Sequence, residues 1–364
     1  MRFIAAIFVV AGHCQAVLYN HEKISPYSPY FNKLASFGVD FFFVLSGFLI
    51  SYLLLMELRF TGKINIKNFL VRRALRLWPL YFVVGIILLS IAPYYLSFFE
   101  LDHTRPPTNG IINNFLYLIC FGINVQIMIG DMNTFSTHTV AHFWSLSIEE
   151  QFYLLWAPLL FLCRKYTLYL ITIFIFIGIF VSYYPPSFYY SWFDTNTYAA
   201  PYYFTFNRYF HFATGALLAW LFINAPYLFD LQRFTIVVKI LFILTIALIF
   251  RYLFGAYYYD LDERFINGFV SFLIIAIAID KNCFFNLEYK WLKYFGKISF
   301  GIYVYHIVGV YLSLKCLNLL GLSHHSILFW ISFPLLASFF ATGIAIISYE
   351  YFEKYFLNLK NTFK

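Results

Sequence analysis

Charged residues are scarce in this sequence. Asp, Glu, Lys and Arg make up 12% of the 364 residues, whereas soluble domains carry about 25%. Hydrophobic residues make up 62%, and the mean hydropathy is +0.73. So few polar side chains cannot cover the surface of a water-soluble globule of this length, which argues against a soluble fold.

Cysteine is sparse and shows no pattern. The five cysteines are scattered without metal-ligand spacing, and most lie in apolar segments. We therefore expect no disulfide framework, and we expect no metal ion to take part in the function. The sequence also lacks a repeat of 20–50 residues, which argues against a repeat array.

Apolar stretches of about 20 residues, the length that crosses a bilayer, recur along the whole chain. We predict an all-α fold: a polytopic transmembrane helical bundle of about ten spans, forming a single domain over residues 1–364. Residues 1–19 could be taken for a signal peptide, but His13 interrupts the apolar run and no small-residue cleavage site clearly follows. The predicted spans are 3–19, 37–57, 77–97, 146–163, 167–184, 206–223, 235–253, 266–280, 298–319 and 327–349.

The apolar stretch 111–129 contains four amide side chains, those of Asn113, Asn114, Asn124 and Gln126. Backbone that leaves a regular helix at membrane depth is tolerated only inside protein or a polar cavity. We predict that this stretch is interfacial or re-entrant and does not cross the bilayer.

Most basic residues fall on one side of a ten-span arrangement, and the loops on the opposite side are poorer in Lys and Arg. By the positive-inside rule the basic side is cytoplasmic, which places both termini in the cytoplasm. The net charge of +8 then reflects topology and requires no nucleic-acid partner. The residues are Arg59, Lys63, Lys67, Arg72, Arg73, Arg76, Arg164, Lys165, Arg233, Lys281, Lys290, Lys293, Lys297, Lys354, Lys360 and Lys364.

Polar groups at membrane depth are costly, so each one is a candidate functional residue. His13 follows Arg2 by eleven residues, which corresponds to roughly 16 Å of helix and a position near mid-bilayer. An imidazole there suits a general base; the alternative is a structural histidine bonded to a neighbouring helix.

Several further polar residues have both a functional and a structural interpretation. Asp40 is a candidate substrate-binding group or a helix N-cap, and Ser46 lines a cleft or allows close helix packing beside Gly47. Glu149 and Glu150 are adjacent carboxylates that could orient an imidazole, although Ser147 and Glu150 also match a capping box.

Two other groups complete the candidates. Arg72, Arg73 and Arg76 precede the third predicted span, where they set orientation or bind a phosphorylated ligand. The remaining candidates form a polar stripe at helical spacing in the ninth span, or else make ordinary interhelical hydrogen bonds: Ser299, Tyr303 and His306.

Four motifs, taken together and in this order, resemble the family-3 integral-membrane acyltransferases, which include bacterial O-antigen and other glycan O-acetyltransferases. They are Arg2 with His13 at Arg-x10-His spacing, the segment 38–50 (GVDFFFVLSGFLI), the segment 72–79 (RRALRLWP) and the segment 143–153 (FWSLSIEEQFY). The resemblance covers nearly the whole chain and is closest to members without a fused extracytoplasmic domain.

The resemblance implies ten helices, cytoplasmic termini and residence in a bacterial cytoplasmic membrane. It also implies a cytoplasmic acyl-CoA donor, foremost acetyl-CoA, and a hydroxyl acceptor on a glycan or its lipid-linked precursor. In this hypothesis His13 either deprotonates the acceptor or takes the acyl group transiently, and Glu149 or Glu150 orients the imidazole.

We assign the remaining candidates to the two substrates. The donor site comprises Arg2, Arg72, Arg73, Arg76, Ser299, Tyr303 and His306, and the acceptor site comprises Asp40, Ser46, His142 and Trp144.

A transporter or flippase without covalent chemistry is the alternative function, because intramembrane Arg, Glu and His suit that class too. An inactive scaffold is a third possibility.

Overall fold

A computed structural model describes residues 1–22, 29–90, 111–129, 140–184, 200–229, 261–279, 288–324 and 326–363. Every element in these ranges is a helix, which confirms the predicted all-α class for them. The principal α-helices are α1 (Arg2–Glu22), α2 (Pro29–Thr61), α3 (Ile66–Ser90), α4 (Ile111–Ile119), α5 (Ile123–Met128), α6 (Trp144–Leu162), α7 (Thr167–Tyr183), α8 (Thr205–Asn224), α9 (Leu261–Ala278), α10 (Lys290–Leu319), α11 (Ile327–Ser348) and α12 (Lys354–Leu359).

Five stretches of described helix are long and apolar enough to cross a bilayer, as predicted for an integral membrane protein. The seventh predicted span, 235–253, lies outside the described residues. The five stretches are Lys33–Thr61, Ile66–Ser90, Arg164–Tyr183, Lys290–Leu319 and Ile327–Leu359, and a shorter apolar helix covers Arg2–Leu18.

Helices α2 and α3 begin well before the predicted spans. Proline favours the first position of a helix, because its fixed φ suits the turn and its missing N–H needs no partner there; α2 starts at Pro29. Gly62, with φ of +70°, ends α2, and the Asn65 N–H donates to Glu57 Oε1 at 2.8 Å before α3 starts at Ile66. The arginines at 72, 73 and 76 therefore lie within α3.

The stretch 111–129 is broken into α4 and α5, in agreement with its predicted irregularity. The break falls at Phe121, a non-glycine residue with φ of +52°. Asn114, Asn124 and Gln126 are buried, and the Gln126 amide donates to Asn114 Oδ1. The amide side chains thus join the two short helices to each other.

The chain divides into two compact units. The first comprises Met1–Gly38, Lys67–Ser147 and Tyr294–Lys364, and the second comprises Val39–Ile66 and Ile148–Lys293. In the first unit α1 packs against α11, and small residues allow α10 to approach α11 closely. A Cβ on Gly309 would lie 2.7 Å from the Ala337 carbonyl oxygen.

In the second unit, two glycines set the crossing of α2 and α8. A Cβ on Gly47 would lie 2.1 Å from the Phe212 carbonyl oxygen, and one on Gly215 would lie 2.0 Å from the Val44 carbonyl oxygen. Small residues that let two backbones touch are the usual basis of such crossings in membranes. The close-packing interpretation of Gly47 is therefore confirmed.

We expect Gly47→Ala to prevent correct packing of the second unit. The added methyl group meets backbone, which cannot turn aside as a side chain can, and overpacking typically costs about 1–3 kcal/mol or more. The measurement is the yield of monodisperse protein in detergent and its thermal unfolding midpoint. Gly343→Ala is the control, because a Cβ there has no neighbour within 4 Å among the described residues; equal midpoints for the two variants would contradict the prediction.

Candidate active site

Three histidines from distant parts of the sequence meet in the first unit. We refer to His13 of α1, His142 of the turn Ala141–Phe143 and His306 of α10 as the histidine trio. The His306 ring centroid lies 4.7 Å from that of His13 and 4.7 Å from that of His142. His142 and His306 are buried, whereas His13 is half-buried, so His13 presents the accessible ring of the trio.

Hydrogen bonds to backbone carbonyls fix the neutral tautomer of each ring. His13 Nδ1 donates to the Val9 carbonyl oxygen at 2.9 Å, His306 Nδ1 donates to that of Tyr303, and His142 Nε2 donates to that of Val304 at 3.1 Å. A carbonyl oxygen only accepts, so the other ring nitrogen bears a lone pair. On His13 and His306 that nitrogen is Nε2.

Tyr303 and Ser145 support the trio from one side. The Tyr303 hydroxyl donates to the His142 carbonyl oxygen at 2.9 Å and also shares a hydrogen bond with Ser145 Oγ. Ser299, one turn earlier on α10, donates to the Gly296 carbonyl oxygen at 2.9 Å. All three residues of the predicted stripe, Ser299, Tyr303 and His306, are buried. His306 belongs to the trio, and Tyr303 is bonded to the backbone of His142.

Basic side chains gather elsewhere in the first unit, and we name Arg2, Arg72, Arg73, Arg76 and Lys360 the cation cluster. The pKa of Lys360 is lowered, first by partial burial and then by the positive charges of the four arginines. Arg72 Nη1 donates to the Phe363 carbonyl oxygen at 2.9 Å. The final turns of the described chain thus lie against α3.

The cation cluster has features of an anion site. Arg2 Nε is buried and has no hydrogen-bond partner among the described residues. Arg73 lies over the ring of Phe69, 5.6 Å from its centroid. The carboxylate of Glu353 lies near Arg76 and accepts a hydrogen bond from Ser348 Oγ at 3.1 Å. Cations that lie this close repel one another, as the effect of the arginines on Lys360 shows, so an anionic group would stabilise the cluster.

Glu149 belongs to the second unit. Its Oε1 accepts hydrogen bonds from the hydroxyl groups of Ser46 and Tyr153, which fix the orientation of the carboxylate. Ser46 therefore has a polar partner in Glu149. Glu150 is also buried. The predicted action of either glutamate on His13 stays a prediction.

Asp40 is paired with a cation that the sequence analysis did not single out. Arg208 Nη1 donates to Asp40 Oδ1 at 2.7 Å, and both side chains are 0% exposed. The Asn267 amide donates to Asp40 Oδ2 at 2.8 Å, and His211 Nε2 lies 3.5 Å from Oδ1. The Arg208 guanidinium also stacks on Tyr202, 4.1 Å from the ring centroid.

Both capping interpretations from the sequence are wrong. Asp40 lies in the interior of α2, which begins at Pro29, so it is not a helix N-cap. Helix α6 begins at Trp144, ahead of Ser147, so Ser147 and Glu150 do not form a capping box. Trp144 itself is buried in the first turn, and its predicted contact with a sugar stays a prediction.

The structure brings together some of the predicted residues and adds others. In the first unit it joins His13, His142 and His306 in one group, and Arg2, Arg72, Arg73 and Arg76 in another. Within the described residues no group of three or more His, Cys, Asp or Glu side chains is arranged to hold a metal ion. The residues that sequence reasoning missed are Ser145, Tyr153, Arg208, His211, Asn267, Glu353 and Lys360.

Comparison with known proteins identifies a family and several relatives of this chain. A family model described as "Acyltransferase domain" matches residues 1–350. The O-acetyltransferase OatA of Staphylococcus aureus strain NCTC 8325 is 29% identical over 290 residues, which is 74% of this chain and 45% of OatA. A putative O-acetyltransferase of S. aureus strain COL is 37% identical over 126 residues, 34% of this chain and 20% of that protein. The chain thus spans less than half the length of these curated relatives, and no solved structure matches it.

Proposed function

The chain belongs to this acyltransferase family, and on that premise we propose that it is a membrane-embedded O-acetyltransferase. It moves an acetyl group from a cytoplasmic acyl-CoA to a hydroxyl of a cell-surface glycan or its lipid-linked precursor. The similarity to OatA, which is named an O-acetyltransferase, supports the O-acetyl assignment. The protein resides in a bacterial cytoplasmic membrane, with ten spans and both termini in the cytoplasm.

The observation that carries this proposal is the state of His13. Its ring is half-buried among apolar helices, its Nδ1 is committed to the Val9 carbonyl, and its Nε2 bears the lone pair. This is the nitrogen that a general base or an acyl-accepting nucleophile uses. Removal of the acceptor proton by Nε2 makes the hydroxyl oxygen a better nucleophile toward the thioester carbon.

The cation cluster is the proposed site for the phosphates of the donor. Arginine guanidiniums form forked, charge-assisted hydrogen bonds with phosphate oxygens, and the partnerless Nε of Arg2 offers one such donor. Coenzyme A carries a diphosphate and a 3′-phosphate, so its charge matches a cluster of several cations.

We assign the second unit to the acceptor. Ser46 and Asp40 lie on α2, and Glu149 is held by hydroxyl groups that fix its direction. A sugar offers several hydroxyl groups, and buried carboxylates and hydroxyls of this kind bind them through hydrogen bonds. His142 and Trp144 stay predicted acceptor-binding residues.

The decisive test uses labelled acetyl-CoA with purified protein in lipid vesicles and a panel of lipid-linked glycans. Acetyl transfer to a glycan hydroxyl is the expected result, and mass spectrometry identifies the acetylated product. Movement of an unmodified glycan across the bilayer, without label transfer, would overturn the proposal in favour of a transporter. Transfer of label to a glycan by vesicles without the protein sets the background.

We expect Lys360→Gln to raise the KM for acetyl-CoA about tenfold, with kcat unchanged. A tenfold change corresponds to about 1.4 kcal/mol, close to the lower end of the range for a hydrogen bond to a charged group. The lowered pKa of Lys360 gives a second signature. The KM of the wild type should rise as the pH increases through that pKa, because the neutral amine no longer attracts phosphate, and the variant should lack this rise.

The matched control for Lys360→Gln is Lys354→Gln. Lys354 forms an exposed i,i+4 pair with Glu350 at 2.9 Å, and such surface pairs contribute little. Charged Lys360 is disfavoured in the donor-free fold, so its replacement should not lower stability. An unchanged KM in Lys360→Gln at all pH values would remove Lys360 from the donor site.

A further inference from the structure

The histidine trio contains one nitrogen, Nε2 of His306, to which the proposed function gives no role. His306 is 0% exposed, and its Nε2 has no hydrogen-bond partner among the described residues. A buried polar atom left unsatisfied costs about 1–3 kcal/mol. Because this nitrogen belongs to a ring next to that of His13, we expect it to have a function that compensates for the loss of stability.

The location of His306 indicates the role. Its ring touches that of His13, which is the accessible member of the trio, at a centroid separation of 4.7 Å. Its Nδ1 is fixed by the Tyr303 carbonyl, in the same way that the Val9 carbonyl fixes Nδ1 of His13. Both rings therefore carry their basic nitrogen at Nε2, and the side chain of His306 lies too deep to meet a bulky substrate.

Close helix packing holds the ring in this position. On α10, Gly309 lies one turn after His306, and a Cβ there would be 2.9 Å from the Ala341 backbone nitrogen. Gly301 lies on the same helix, where a Cβ would be 3.2 Å from that of Ala345. Ala341 and Ala345 are both 0% exposed. The backbone carrying His306 is thus seated against α11 with little room to shift.

We propose that His306 is a positioning and proton-relay residue for His13. The inference rests on the proposed acetyl transfer, with His13 as its general base. The O–H bond of the acceptor breaks and its proton moves to His13 Nε2 while the acceptor oxygen bonds to the acyl carbon. The proton then passes to His306 Nε2. The carbon–sulfur bond breaks, and the departing thiolate recovers that proton by way of His13, which leaves both rings neutral and all atoms balanced.

Contact with His142 stabilises the second ring during this exchange. The His142 and His306 rings meet edge to face, with centroids 4.7 Å apart and an interplanar angle of 80°. His142 is itself fixed by the Val304 carbonyl. The two neighbours restrict rotation of His306, so its Nε2 keeps one direction while it gains and loses the proton.

His306→Asn is the principal test. The asparagine amide can reproduce the hydrogen bond from Nδ1 to the Tyr303 carbonyl, but it supplies no basic nitrogen. We expect kcat for acetyl transfer to fall about 100-fold, a typical contribution of positioned proton transfer, while the KM for acetyl-CoA stays within about twofold of wild type. His306→Gln, which lacks the Nδ1 bond, should show the same loss of kcat and guards against a folding defect specific to one variant.

His324→Asn is the matched control, because it makes the same replacement outside the trio. The backbone carbonyl oxygen of residue 324 accepts a hydrogen bond from Trp330 Nε1 at 2.9 Å, and the replacement of the side chain leaves this bond unaffected. Wild-type kcat in His306→Asn would overturn the inference, since packing and the Tyr303 bond would then suffice. A raised KM with unchanged kcat would also overturn it and would make His306 a donor-binding residue.

A readout without turnover separates this inference from the proposed function. Nitrogen NMR of protein labelled at histidine distinguishes a ring nitrogen that bears hydrogen from one that bears a lone pair. His13 and His306 should both show hydrogen on Nδ1 and a lone pair on Nε2, and His306→Asn should change the Nε2 signal of His13. Hydrogen on His306 Nε2 in the resting protein would refute the relay even where acetyl transfer occurs. Absent transfer with the expected spectra would instead refute the proposed function.

Discussion

Replacing His13 with asparagine is expected to lower the rate of acetyl transfer by about 10²- to 10⁴-fold, the usual contribution of general acid–base catalysis. The loss follows from removal of Nε2, the lone-pair nitrogen of the accessible ring in the histidine trio. The asparagine amide can still donate to the Val9 carbonyl, so α1 should keep its structure. The measurement is single-turnover transfer from labelled acetyl-CoA in vesicles.

The control for His13→Asn is Cys14→Ser, a polar replacement at the neighbouring buried residue. It tests whether any change in this part of α1 disturbs transfer. Donor binding offers a second check, because His13 is not part of the cation cluster, so the His13→Asn protein should still bind acetyl-CoA. Transfer at the wild-type rate in a correctly folded His13→Asn protein would remove His13 from the reaction.

The sequence predicted the members of the histidine trio but not their association. His13, His142 and His306 each stood out as a polar residue in an apolar setting, which is a local signal. Their meeting depends on how α1, α10 and the turn before α6 pack, and no local pattern records that. The sequence predicts a donor-site role for His306, and the structure adds the contact of its ring with that of His13.

The sequence contains a signal that indicates partners for Arg208 and His211. Both lie in the predicted span 206–223, where a charged or titratable side chain is costly without a partner. Asp40, on another predicted span, was the obvious candidate for that partner. Pairing the two intramembrane charges of opposite sign, those of Asp40 and Arg208, predicts a buried ion pair, and Asp40 then needs no interpretation as an N-cap.

Lys360 had no such signal, because a lysine beyond the last span is what the positive-inside rule expects. Only the return of the chain to α3, where Arg72 donates to the Phe363 carbonyl, brings Lys360 to the arginines.

The start of α3 also differs from the start of the predicted span. The hydropathy pattern marks where a segment is apolar, whereas α3 continues through polar residues back to Ile66.

Asp40→Ala is expected to destabilise the second unit by about 3–5 kcal/mol, the typical cost of removing one partner from a buried ion pair. The guanidinium of Arg208 would keep its hydrogen bond to the Tyr202 carbonyl at 2.9 Å but would lose its counter-charge. The Asn267 amide would lose its acceptor at the same time. Thermal unfolding in detergent measures the effect, with Glu350→Ala as the control because Glu350 pairs with Lys354 at the surface.

The double variant Asp40→Ala with Arg208→Leu separates the charge from the packing. Removing both charges leaves no uncompensated ion, and buried pairs replaced by apolar residues are often as stable as the original. The double variant should therefore be more stable than Asp40→Ala alone, although Asn267 still lacks its acceptor. Its acetyl transfer then reports on the Asp40–Arg208 pair without the destabilisation caused by an unpaired charge. A stable double variant that no longer transfers acetyl groups would support an acceptor-binding role for this pair, whereas one with normal transfer would leave Asp40 and Arg208 as a purely structural pair between α2 and α8.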